Sequence, residues 1–197
     1  MGKKIGIFIA DTMNVVDTWY AYNRFMEEGW TPYFVGTQGK YHYSANISNQ
    51  NWQNWNQGNV HGMHNMLASG SIQPDWTVQY LAEQISVDDF DAVYVGDGYG
   101  VDHFMGSEAT ATFFKNFFKI DKPIGLLGRA PHMLSFSDWT TKNMTVTSHP
   151  SVRNFIAEKG HEWVDKGFVA NNNIFTCRSW WDSPEFFKNF LTYCLKR

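Results

Sequence analysis

Three side chains suited to acid–base chemistry, Asp17, Arg129 and His149, each fall shortly after an apolar run of strand length. A carboxyl group drawn into a partly buried site becomes a weaker acid and can then hold or accept a proton near neutral pH. Asp17 invites that reading, but it also suits the start of a helix, where the macrodipole favours an acidic side chain. Arg129 carries a permanent charge that either binds a carboxylate or closes on Asp17 as a salt bridge. His149 can shuttle protons, and a His-Pro turn with a satisfied imidazole accounts for it equally well. The run Gly96-Asp97-Gly98-Tyr99-Gly100 follows a mid-chain strand and lacks the spacing of a dinucleotide fingerprint. Two cysteines, Cys177 and Cys194, show no metal-type spacing and read as buried free thiols. Metal binding has two thin supports: His61 with His64, and Asp17 with His149. A metal site needs three or four ligands and nothing supplies a third, so neither a metal nor a cofactor is expected.

The elements that must carry these residues alternate between strand and helix. Ile5 to Ala10 is a continuous apolar run, as in a strand covered on both faces. Val15, Val16, Trp19, Tyr20 and Met26 then recur at helical spacing up to Gly29, a C-terminal stop, and Pro32 to Val35 resumes as a strand. That is a βαβ opening, the unit of a parallel sheet. Phe90 to Val95 is a further strand, ending in the glycine-rich turn. Ser107 caps a helix with Ala111, Phe114, Phe117 and Phe118 on one side. Pro123 to Leu127 is a buried strand after which Gly128 to Ser135 turns sharply into a helix. Met144 to Thr147 and Ile174 to Cys177 read as strands. Ser183 as cap, Pro184 in first position and Glu185 in the first turn start the last helix. Sheets of this kind place ligands at the carboxyl ends of their strands, where Asp17, Asp97, Gly128 and His149 fall.

One stretch departs from the pattern. Residues 49–66 read NQNWQNWNQGNVHGMHNM, amides and tryptophans without aliphatic periodicity, and too long for an ordinary loop. Either Trp52 and Trp55 anchor a surface excursion on the body or on a second subunit, or they cover a ligand.

The 197 residues fit one domain with an ample core, since 43% are hydrophobic and 17% aromatic. A net charge of -3 with no basic stretch argues against a nucleic-acid partner. The first apolar run is too short for a signal-peptide core or a membrane span, so no membrane partner and a cytoplasmic location are expected.

Several stretches together resemble the ThiJ/PfpI superfamily, of Parkinson-disease deglycase type, with the class I glutamine amidotransferase-like fold. They are Ile5 to Asp17, Phe90-Asp91-Ala92 through Gly98, Lys122-Pro123 through Pro131, Val146-Thr147-Ser148-His149-Pro150, Glu162 to Asp165 and Thr176-Cys177-Arg178. The resemblance implies a flavodoxin-like three-layer sandwich with a mostly parallel sheet, and a homodimer. It also implies a nucleophile elbow in which a cysteine thiolate is tuned by a neighbouring carboxylate. Asp17 matches that acidic partner, where most members have glutamate and isocyanide-hydratase-like members aspartate.

The elbow position itself holds Gly128, and Arg129 follows it. Glycine tolerates the awkward dihedrals of the turn but supplies no thiolate. Asp97 and Gly98 stand where two glycines donate backbone N–H groups to an oxyanion, and a negative side chain at Asp97 would oppose that role if it points inward. Three readings follow. The chain binds a small aromatic or carboxylate-bearing molecule through Gly128, Asp97, Gly98, Tyr99, Trp52 and Trp55, without cysteine chemistry. Alternatively, it is a lyase, hydratase or isomerase using Asp17, His149 and Arg129. Or it is a structural or regulatory dimer with a vestigial pocket.

Overall fold

The computed structural model describes residues 2–10, 12–37, 78–138 and 143–197. The segment 49–66, with Trp52, Trp55, His61 and His64, lies outside the described residues.

The strands are β1 (Lys4–Phe8), β2 (Thr31–Gly36), β3 (Tyr80–Leu81), β4 (Ala92–Val95), β5 (Ile124–Leu127), β6 (Thr145–Val146), β7 (Glu162–Trp163), β8 (Phe168–Asn171) and β9 (Ile174–Cys177). The helices are α1 (Val15–Glu27), α2 (Val101–Met105), α3 (Glu108–Phe117), α4 (Arg153–Glu158) and α5 (Ser183–Leu195). Seven strands form one sheet in the order β3-β2-β1-β4-β5-β9-β8, while β6 and β7 pair separately. Among the described strands of the large sheet, only β8 runs antiparallel, against β9. The α/β fold is thus the expected sandwich on a mostly parallel sheet.

The period of two in β1 divides the core. Ile5, Ile7 and Ile9 pack on one face with Ala21, Phe25, Phe186 and Phe190 from α1 and α5. Phe8 and Ala10 face the other way, toward Phe104, Phe113, Phe114 and Phe117 of α2 and α3. There the Phe8 ring lies 4.7 Å from that of Phe114. Such ring pairs add about 0.5–1.5 kcal/mol each beyond the area they bury.

Two expectations need correction. The apolar stripe of α1 does not enter the core: Val16, Trp19, Tyr20 and Met26 are exposed, whereas Asp17, Thr18, Ala21 and Phe25 are buried. The helix is rotated so that Asp17 reaches the loop after β4, and that bond sets the inward face. The last helix starts one residue early, at Ser183 with Asp182 as its flanking residue and no side-chain cap. Asp182 instead receives Arg178 and the Ser179 hydroxyl. By contrast Ser107 caps α3 as expected, accepting the Thr110 N–H.

Among the described residues no helix is long and apolar enough to cross a membrane.

Candidate functional site

Parallel pairing aligns the ends of β1, β4, β5 and β9, so the segments after them meet at one edge of the sheet. After β1, Asn14 caps α1 by accepting the Val16 N–H at 2.9 Å. The Asn14 N–H in turn donates to the Asp97 carbonyl at 2.7 Å, tying this loop to the one after β4. Met13 and Gly98 form an isolated antiparallel bridge beside it. After β5, the Gly128 N–H donates to the Cys177 carbonyl at 2.9 Å, and the Gly128 carbonyl accepts the His149 N–H at 2.7 Å. Gly128 has φ +65°, the left-handed conformation of the elbow. A short 3-10 helix, Ala130–Phe136, continues from it.

Asp17 lies at the base of the site, 2% exposed. Its Oδ2 accepts the Asp97 N–H at 2.9 Å, and the Thr18 hydroxyl lies 3.2 Å from Oδ1. Gly96 makes room for it: a Cβ there would stand 2.4 Å from Asp17 Oδ1. Burial pushes the Asp17 carboxyl well above the usual range and the charge of Asp97 adds to it, although the hydrogen bonds from Asp97 and Thr18 oppose the shift. The first-turn macrodipole also favours the ionised form, but burial outweighs it.

Asp97 occupies the elbow. Its Oδ1 accepts two backbone N–H groups, from Gly98 at 2.7 Å and from Arg129 at 2.9 Å. A Cβ on Gly128 would stand 2.0 Å from Asp97 Cγ and 2.1 Å from Oδ1, so the carboxylate fills the volume of the absent side chain. Oδ2 makes no hydrogen bond among the described residues, and Asp97 is part exposed. Burial raises the Asp97 carboxyl above its ordinary range, while the two N–H groups and the charges of His149 and Arg129 pull it back. The side chain therefore points inward; of the two N–H groups expected at an oxyanion, that of Gly98 holds the Asp97 carboxylate and that of Asp97 donates to Asp17.

Arg129 does not pair with Asp17. Its guanidinium turns outward to Asp102 at 3.1 Å and to the Ser151 hydroxyl at 2.9 Å, over the Tyr99 ring at 4.8 Å. The outward turn keeps the charge close to solvent, where ion pairing needs little desolvation. Tyr99 is thereby engaged by Arg129. Arg129 Nε and His132 Nδ1 are buried without a hydrogen-bond partner among the described residues. His149 caps the Pro150–Val152 turn, its Nδ1 accepting the Ser151 N–H at 3.2 Å, and its ring is exposed. With Nδ1 acting as acceptor, the proton of the neutral ring sits on Nε2.

Cys177 is next to the site and buried, its Sγ–H donating to the Ser179 carbonyl at 3.1 Å. Burial pushes its thiol up to about 12, and the charges of Asp182, Asp17 and Asp97 add to the shift. That shift disfavours the thiolate at neutral pH. Among the described residues no group of three or more His, Cys, Asp or Glu side chains is placed to hold a metal ion.

The structure thus brings together Asp17, Asp97, Gly98 and Gly128, keeps His149 and Arg129 at the rim, and leaves Trp52 and Trp55 outside the described residues. Sequence reasoning missed Gly96, Asp102 and Ser151. Only Gly96 left a trace, as the first glycine of Gly96-Asp97-Gly98.

A sequence model described as the DJ-1/PfpI family matches residues 3–193. An uncharacterized protein of Staphylococcus aureus (strain Mu50) is 32% identical over 104 residues, which is 52% of this chain and 60% of that protein. The match thus spans less than two thirds of that relative. Among solved structures, a two-domain protein from Anabaena variabilis with dj-1/thij/pfpi-like and ferritin-like domains aligns with TM-score 0.76 and 16% identity. That alignment covers 96% of this chain and 47% of the other. Schizosaccharomyces pombe DJ-1 aligns with TM-score 0.71 and 19% identity, covering 96% of this chain and 90% of the other. At these identities the structural likeness is one of fold.

Proposed function

The chain belongs to the DJ-1/PfpI family, and from that premise we propose that it is a non-canonical member that binds a small molecule at the elbow without cysteine-based hydrolase, glyoxalase or deglycase chemistry. One observation carries the proposal: the Asp97 carboxylate stands where a side chain of residue 128 would stand, on the N–H groups of Gly98 and Arg129. A site that had merely lost its nucleophile would leave that volume and those donors to water. Here they are taken up by a specific, bonded anion, which supports a site with its own chemistry. The occupied donor pair also argues against a carboxylate-bearing ligand, because a second anion would have to displace or repel the first.

A second reading, acid–base catalysis, is favoured by the weakened acidity of both Asp17 and Asp97. In that reading the two carboxyl groups do the work, with Arg129 and His149 shaping the rim. The proposal also keeps one domain over residues 1–197, a cytoplasmic location and a homodimer. The exposed Val16, Trp19, Tyr20 and Met26 on one helix support the last of these.

Fragment screening by amide-detected NMR tests the proposal. A neutral fragment library should shift the Gly98, Gly128 and Arg129 amides, and the protein should not consume methylglyoxal above the buffer rate. Hits that map only elsewhere would remove the binding reading. Methylglyoxal turnover, whether it survives Cys177→Ser or is lost with it, would remove the claim about chemistry.

A further inference from the structure

Asp97 offers more than a plug. Its two carboxylate oxygens have different surroundings: Oδ1 is fixed by two backbone N–H groups, while Oδ2 makes no hydrogen bond among the described residues. The carboxylate occupies the elbow volume freed at Gly128, on a side chain left part exposed. We propose that Asp97 is a nucleophile, attacking through Oδ2 a neutral sp3 carbon electrophile of the alkyl halide class. The proposal rests on the reading that the elbow admits a small molecule.

The chemistry follows from that difference. In the first step an Oδ2 electron pair of the ionised Asp97 carboxylate forms a bond to carbon, the carbon–halogen bond breaks, and halide leaves, giving an Asp97 alkyl ester; because burial raises this carboxyl, the step speeds up as pH rises. A carboxylate with few hydrogen bonds on its attacking oxygen is the more reactive for being poorly solvated. In the second step water attacks Cγ of the ester, and negative charge develops on Oδ1. The N–H groups of Gly98 and Arg129 already point at that atom, 2.7 and 2.9 Å away, as an oxyanion hole requires. Collapse breaks the Cγ–Oδ2 bond. The alcohol departs with its oxygen from Asp97, the water oxygen stays in the regenerated carboxylate, and one proton is released to solvent.

The surroundings favour a neutral electrophile. Asp17 and Asp97 share the base of the site and Asp102 stands at the rim against Arg129, so an anionic substrate such as a phosphate or a free carboxylate would meet repulsion.

The test uses the whole protein with 1-bromobutane. Wild type should release bromide and, in a single turnover in oxygen-18 water, carry one heavy oxygen in the peptide containing Asp97. If hydrolysis is slow, the same peptide should instead gain one butyl group. Asp97→Asn keeps the shape and the Oδ1 acceptor, so bromide release should fall to the buffer rate while the thermal midpoint is retained. The isotope measurement on wild type stands even if that variant does not fold. Bromide release with no label in Asp97, or a butyl group on another residue, overturns the nucleophile. Fragment shifts at the Gly98 and Arg129 amides with no bromide release overturn the nucleophile alone, and absence of both removes the binding reading as well.

Discussion

Gly128→Ala should be far more damaging in the native protein than in a background lacking the Asp97 side chain. The added Cβ would stand 2.0 Å from Asp97 Cγ and 2.5 Å from Asp97 Cβ, so no small adjustment accommodates both. Asp97 must leave the elbow and give up its bonds to Gly98 and Arg129. Hydrogen bonds to a charged group contribute about 1.5–3 kcal/mol each, but eviction returns a part-buried carboxylate to water and recovers some of this. A net loss of about 2–3 kcal/mol is expected from the pair. The left-handed backbone at residue 128 adds about 1–2 kcal/mol for any side chain. The substitution should therefore cost at least about 4 kcal/mol in the native background, where the Asp97 Cβ must shift as well, against about 1.5 kcal/mol in Asp97→Gly, where only the backbone cost remains. Alanine at 97 would not serve as the background, because its Cβ still collides. For a domain of this size about 3 °C of thermal midpoint corresponds to 1 kcal/mol, giving drops of about 12 °C and about 4 °C. A double-mutant cycle by calorimetry and urea unfolding reads the difference as a coupling energy. Equal costs in the two backgrounds would refute the claim that Asp97 fills the elbow.

Three further outcomes follow from the same geometry. Asp17 and Asp97 have folded-state acidities weaker than their unfolded ones, so the folded protein holds extra protons. Stability should then fall as pH rises from about 4 through that window; midpoints at pH 5 should exceed those at pH 7.5, and Asp17→Asn should make the slope shallower, whereas an unchanged slope would exclude Asp17 as its source. Cys177 and Cys194 are both pushed up to about 12 by burial, so neither should react with a thiol reagent at pH 8 until urea is added; rapid native labelling of Cys177 would make it a candidate nucleophile. Gly96→Ala would drive a Cβ to 2.4 Å from Asp17 Oδ1 inside the fold, and should cost about 2–3 kcal/mol as an overpacked buried site; a loss within experimental error would mean Asp17 is not held where its bond to Asp97 requires.

The parts of this fold legible in the sequence were those fixed by local pattern. The apolar run 174–177 matches β9, and Ser107 caps α3 as its position suggests. The apolar stretch 144–147 matches β6, but two-residue strands such as β3 and β7 carry no periodicity to read, because two residues cannot alternate meaningfully. The orientation of α1 is not legible for a different reason. Apolar spacing points to Val16, Trp19 and Tyr20, but a buried carboxylate bonded to the backbone of Asp97 outweighs that stripe and turns it outward. Asp182 likewise was not read as the start of the last helix because its partners, Arg178 and Ser179, come from the preceding turn. At the elbow, the sequence revealed an absence at Gly128 but not what fills it. Glycine is silent about its neighbours, and only the meeting of the loops after β4 and β5 shows that residue 97 supplies the missing group.

That meeting constrains how the two positions combine. Any side chain at 128 collides with Asp97, and an elbow thiolate would be driven against a carboxylate held by the same N–H groups. Glycine at 128 and aspartate at 97 therefore form one structural unit, each tolerated because of the other. The exchange keeps an anion at the end of β5 but replaces soft sulfur with hard oxygen. A thiolate adds readily to aldehydes and dicarbonyls, and a carboxylate gives no stable adduct with them. A carboxylate whose one oxygen rests on two donors is instead suited to displacing a leaving group from carbon and to surviving as an ester that water can open. The loss of one reactivity and the gain of the other come from the same few atoms, which is why the Asp97→Gly/Gly128→Cys pair is informative. It should restore a reactive thiol at the elbow and, in the same protein, abolish any bromide release.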